Sequence, residues 1–243
     1  MADSPTSRPR PLAGSPDGKR APTPRKGNRL VKVALALAAL AGLGFLFIRS
    51  ARDTRSAPYT IGAADLRDWV LALEPASGPT APLLVLRPPG RLASGLFHQI
   101  FTRAMESLNA PAAPAIPLLL RGEFDKAFAG RVTPDALLAA ARGAGLDAAA
   151  FKPACLAYRR SSDAHATQQL YFALFESPAF SRFREQMGVL RNASPSERAD
   201  FDPASLSPLL FVAAAETMFN DWLPLRADPK TDCVAPIVIS SST

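Results

Sequence analysis

The chain has 243 residues, with 28 Lys/Arg against 21 Asp/Glu and a formal net charge of +7. That excess is confined to one end: residues 1–32 carry eight Lys/Arg and two acids, residues 49–55 three arginines and one aspartate, and residues 56–243 carry 17 Lys/Arg and 18 Asp/Glu. The basic character therefore belongs to the N-terminal part, so a nucleic-acid reading of the remainder loses its main support and no nucleic-acid partner is expected.

Residues 1–29 are rich in Pro, Arg, Ser, Ala and Gly and almost devoid of apolar bulk. A segment of that composition cannot bury enough surface to fold, which predicts a disordered, basic, proline-rich tail drawn to anionic lipid. Residues 33–48 then form an unbroken apolar run, VALALAALAGLGFLFI. Extended back to residue 30 past Lys32, whose stem can carry its charge outward, it gives a helix of about 28 Å, and a transmembrane signal-anchor over residues 30–48 is expected. The basic flank places the tail in the cytoplasm and exports the rest, so the chain reads as a single-pass protein of the cell (inner) membrane with membrane lipid as a partner. A cleaved secretory signal is the rival, but Arg55 and Arg49 occupy the outer small-residue position of the available cleavage sequences. Ala34, Ala38 and Gly42 recur every fourth residue, which predicts a face for a membrane-protein partner or a second copy of the helix.

Residues 49–60 read as a linker, and residues 61–243 as one exported α+β domain with a mixed β-sheet packed by amphipathic helices. Residues 69–74 and 83–87 predict two strands joined through a Pro/Gly/Ser turn. Over residues 90–109, Leu92, Leu96, Ile100, Ala104 and Leu108 repeat every four residues, the pattern of a helix with one buried face. Pro111, Pro114 and Pro117 end it and lead to a short strand at 116–120. Thr133-Pro134-Asp135 is a helix start with a hydroxyl cap, a proline at the first helical position and an early carboxylate. Gly145 suits the left-handed stop and Asp147 caps one more turn. Residues 155–160 and 168–176 predict strands, the second apolar on both faces and hence central. Ser177-Pro178 opens a helix carrying Phe180, Phe183, Met187 and Leu190 on one side. A strand at 209–215, a helical turn or two at 217–223 and a last strand at 234–240 complete the chain.

The two cysteines, Cys155 and Cys233, both fall in the exported part, and an oxidising compartment favours their pairing as a structural disulfide. The stretch LLAAARGAGLDAAAF, residues 137–151, resembles the helical insert of thioredoxin-like thiol oxidoreductases. That resemblance would imply redox chemistry, but neither cysteine has a second one at C-x-x-C spacing to share the work. Only two histidines exist: His98 lies about 240° round its helix from Leu92, off the apolar stripe, and His165 lies in a polar loop, so no metal or cofactor is expected. The acids Glu123/Asp125, Asp200/Asp202 and Asp228/Asp232 lack calcium-loop spacing and read as solvated charges. No nucleophile elbow, phosphate loop or dinucleotide fingerprint occurs. The expected function is thus a binding or assembly module. The alternative is an envelope hydrolase or carbohydrate-active enzyme whose carboxylates, such as Glu123 or Asp125, converge only on folding.

Overall fold

The computed structural model describes residues 27–75, 77–104, 106–163, 166–191, 201–215 and 226–240. The chain divides into two units, residues 1–47 and 48–243.

Helix α1 runs Gly27–Ser56, and its described side chains are exposed, Leu35, Leu40, Leu43 and Phe45 each at 65%. This corrects the expected membrane span: no helix among the described residues is long and apolar enough to cross a membrane. The apolar run within α1, residues 33–48, rises about 24 Å, short of the roughly 30 Å of a hydrocarbon core, and it is bounded by Lys32 and Arg49 within the same helix. The α+β reading holds for residues 59–240, while the transmembrane helix attached to it is withdrawn.

In the second unit, strands β1 (Tyr59–Gly62), β5 (Lys152–Asp163), β6 (Ala166–Glu176), β7 (Leu209–Ala215) and β8 (Cys233–Ser240) form one sheet in the order β1-β8-β5-β6-β7. Strands β2 (Val70–Leu73), β3 (Pro82–Arg87) and β4 (Ile116–Leu120) form an antiparallel second sheet. The larger sheet is mixed: β1 runs parallel to β8, and the other pairings are antiparallel. β6 is interior, and its buried residues fall on both faces. Tyr171, Ala173 and Phe175 join the main core, whereas Leu170, Phe172 and Leu174 join a second cluster with Cys155 and Ala157 of β5. A strand covered on both sides needs an unbroken apolar run, which is what residues 170–175 supply.

Helix α2 (Gly90–Ala104) lays Leu92, Leu96, Ile100 and Ala104 against the main core, each at most 5% exposed. Burying Leu92, Leu96 and Ile100 stabilises the fold by about 1.5–3 kcal/mol apiece. The helix stops five residues before the expected end. Asn109 instead forms an isolated bridge with Ala214 of β7, donating to its carbonyl oxygen at 2.8 Å and accepting from its N–H at 2.9 Å. That reciprocal pair draws the chain out of the helical path, and Leu108 is buried on the way.

Two elements emerge that periodicity did not indicate. β1 begins in the last two residues assigned to the linker, with Tyr59 and Ile61 buried and Thr60 exposed between them. Helix α3 (Arg121–Ala127) follows β4 without a loop; its Glu123 carboxylate accepts from the Leu120 N–H at 2.9 Å. Gly122 is required there, because a Cβ would sit 2.7 Å from the Pro79 carbonyl oxygen that accepts the Gly122 N–H.

Helix α4 (Pro134–Gly143) starts as expected, with Thr133 accepting from the Ala136 N–H, and Gly145 follows it with φ of 73°. Helix α5 (Pro178–Arg191) buries Phe180, Phe183 and Met187. The short helix α6 (Pro229–Asp232) leads directly into β8. His165, Asp200 and the expected helical turns at 217–223 lie outside the described residues.

Candidate functional site

The chain contains three tyrosines, and all of them line one cavity. Tyr59 comes from β1, Tyr158 from β5, Tyr171 from β6, Ala104 from the end of α2 and Val234 from β8, around a volume of about 110 Å³. The register brings them together. Tyr158 and Tyr171 are direct cross-strand partners, with ring centroids 4.9 Å apart and planes tilted by 45°. β8 lies between Tyr59 and these two, and its pairing with β5 skips Val234 between the Leu156–Ala235 and Ala157–Cys233 pairs. The resulting bulge brings the Val234 side chain to the cavity, a common way for a strand to redirect one side chain.

The polar groups around the cavity are committed to the fold. Tyr158 donates its hydroxyl to Gln169 Oε1 at 2.9 Å. The Arg103 guanidinium carbon lies 4.1 Å from the centroid of the Tyr59 ring, while its Nη1 and Nη2 donate to the carbonyls of Ala57 and Pro58 at 2.7 and 3.1 Å. A cation over a phenol face contributes about 0.5–2 kcal/mol and holds Tyr59 in place. The sequence signal for the site was weak: Tyr59 stood in the linker, and Tyr158 and Tyr171 read only as strand residues.

β8 leaves three apolar side chains in solvent: Val234, at the cavity, is 39% exposed, and Val238 and Ile239, adjacent on the strand and so on opposite faces of it, are 41% and 50% exposed. Two other hollows are less convergent. One of about 220 Å³ lies between the start of α2 and the proline-rich residues 110–114; another of about 520 Å³ is lined, among the described residues, by α5 alone.

Among the described residues, most carboxylates of the hydrolase alternative are held in other contacts. Glu123 is paired with Arg184, which is fully buried and also donates to Ser205 Oγ and to the carbonyls of Asp202 and Pro203. Asp125 is exposed on α3. Asp202 accepts from the Ala204 N–H, Asp228 caps α6 and Asp232 pairs with Arg159. Each described acid of these pairs other than Asp125 supports a turn, a helix start or an ion pair. Among the described residues no group of three His, Cys, Asp or Glu is placed to hold a metal ion. His98 is exposed, as its helical position predicts.

Cys155 and Cys233 form a disulfide between β5 and the start of β8, with Cα atoms 5.8 Å apart. This is the pairing expected from the sequence. Ala34, Ala38 and Gly42 lie exposed on α1, where a Cβ on Gly42 would meet no atom within 4 Å. Their proposed role as a membrane-helix contact lapses with the span itself. Comparison with known proteins finds no family, no curated protein and no solved structure that the chain matches.

Proposed function

We propose that the α+β unit is a binding or assembly module that works in an oxidising, extracytoplasmic compartment. The observation that carries the reading is the exposure of apolar side chains along β8, with Val234 at the tyrosine-lined cavity and Val238 and Ile239 further along the strand on its two faces. Apolar side chains left in solvent next to a cavity suit a protein-binding site. The carboxylates support the same side of the choice, since an acid–base enzyme needs two of them free at one cleft, and here Glu123 and Asp232 are bound to arginines. The Cys155–Cys233 disulfide supports the compartment, because cytosolic thiols are kept reduced.

The test compares the size of the full chain in native extracts, after mild chemical crosslinking, with that of Val238→Glu. The wild type is expected in an assembly larger than its 25.8 kDa mass and the variant as the monomer. A wild type that runs as the monomer, or a variant that stays in the assembly, overturns the proposal.

A further inference from the structure

The tyrosine-lined cavity has a size, a chemistry and an opening that together define what it admits. Its volume of about 110 Å³ is comparable to the roughly 150 Å³ of an engineered apolar cavity that takes up benzene. It is well below the roughly 300–1,000 Å³ of sites for drug-sized ligands, which excludes nucleotides and oligosaccharides. Three of the five described lining side chains are phenol rings, whose negative faces and positive edges favour an offset or edge-on aromatic guest.

Charge narrows the choice further. The guanidinium of Arg103 already rests on Tyr59, so a cationic guest would meet a like charge in a poorly hydrated setting. One N–H of each Nη of that arginine is held by Ala57 or Pro58, and the described lining residues contribute no carboxylate, amine or imidazole. Access requires no unfolding: Val234 lines the cavity and is also 39% exposed, so the cavity meets the surface at β8. We infer that this cavity receives a small, neutral aromatic group. The inference rests on the binding-module reading and names the chemistry that the module recognises.

The group has two possible sources, a free aromatic molecule or a phenylalanine side chain of a partner segment. Both are tested on the full chain by following the ring signals of its three tyrosines in NMR spectra. Benzyl alcohol serves as the free probe and the acetylated, amidated tripeptide Ala-Phe-Ala as the segment. The expected result is a saturable shift of Tyr59, Tyr158 and Tyr171 by at least one probe, with benzylammonium about tenfold weaker than benzyl alcohol. Tighter binding of the tripeptide assigns the site to a partner segment; tighter binding of benzyl alcohol assigns it to a free small molecule.

Ala104→Leu, which fills the cavity from α2, is expected to abolish the shifts. Val234→Phe fills it from the exposed mouth and serves the same purpose if Ala104→Leu does not fold. Tyrosine signals that stay unmoved by either probe up to about 10 mM overturn the inference, as does unchanged binding in a folded cavity-filling variant. If binding fails while Val238→Glu still dissolves the assembly, the cavity is removed from the account and the module stands.

Discussion

Gln99 bonds to both backbone groups of Thr60: its Nε2 donates to the Thr60 carbonyl oxygen at 2.7 Å, and its Oε1 accepts from the Thr60 N–H at 2.9 Å. β1 is the edge of the larger sheet, so one helix side chain satisfies the groups that a further strand would otherwise take. Asp65 does the same for the Gly62 N–H at 3.0 Å, and Arg103 for the carbonyls just before the strand. The β1 edge is therefore closed, and the proposed recognition falls on the exposed residues of β8 and the cavity.

Replacing Gln99 by Ala is expected to lower stability by only about 1 kcal/mol, because water can reach the exposed Thr60. Its larger effect should be on association: the reopened edge offers a free donor and acceptor to another strand. Urea denaturation measures the first effect, and light scattering against concentration the second.

The pair of Glu123 and Arg184 is predicted to be far more costly to break. Glu123→Gln leaves an uncompensated guanidinium at 0% exposure and should destabilise the chain by about 3–5 kcal/mol. Replacing both partners with apolar residues, as Glu123→Leu with Arg184→Met, should cost less than the sum of the single changes, since no buried charge remains. A double-mutant cycle on urea midpoints provides the check.

Loss of the disulfide is expected to act through the unfolded chain. Cys155→Ala with Cys233→Ala removes a crosslink between residues 78 apart and should cost roughly 4 kcal/mol on the chain-entropy account. Comparing the denaturation midpoints of the double variant and the wild type under oxidising conditions gives the value. Alkylation of native protein should find no reactive thiol.

The start and stop of α4 give a smaller pair of effects. Thr133→Ala removes the acceptor for the Ala136 N–H and should cost about 1 kcal/mol. Gly145→Ala forces a side chain into φ of 73° and should cost about 1–2 kcal/mol. The sites are far enough apart in the chain to be tested singly by thermal unfolding.

What was legible in the sequence follows from how local the signal was. Thr133, Pro134 and Gly145 state their helix within a dozen residues, and the run 170–175 states a strand buried on both faces. The four-residue repeat from Leu92 to Ala104 gave α2, but continuing it to Leu108 misread a residue buried beside the bridge to Ala214. β1 is only four residues long and exists because β8, some 178 residues further on, pairs with it. No local pattern carries that pairing. The cavity was hidden for a related reason: Tyr158 and Tyr171 face each other on paired strands, but Tyr59 joins them only through β8 and its one-residue bulge at Val234. The apolar run at 33–48 was read as a span, whereas no helix among the described residues is long and apolar enough to cross a membrane.

The most direct measurement places a photo-crosslinking amino acid at position 238 of the full chain and, as a control, at the exposed Lys126. A binding module that uses β8 predicts a discrete adduct from 238 and none from 126. Equal labelling from both positions, or no adduct from 238, would contradict it.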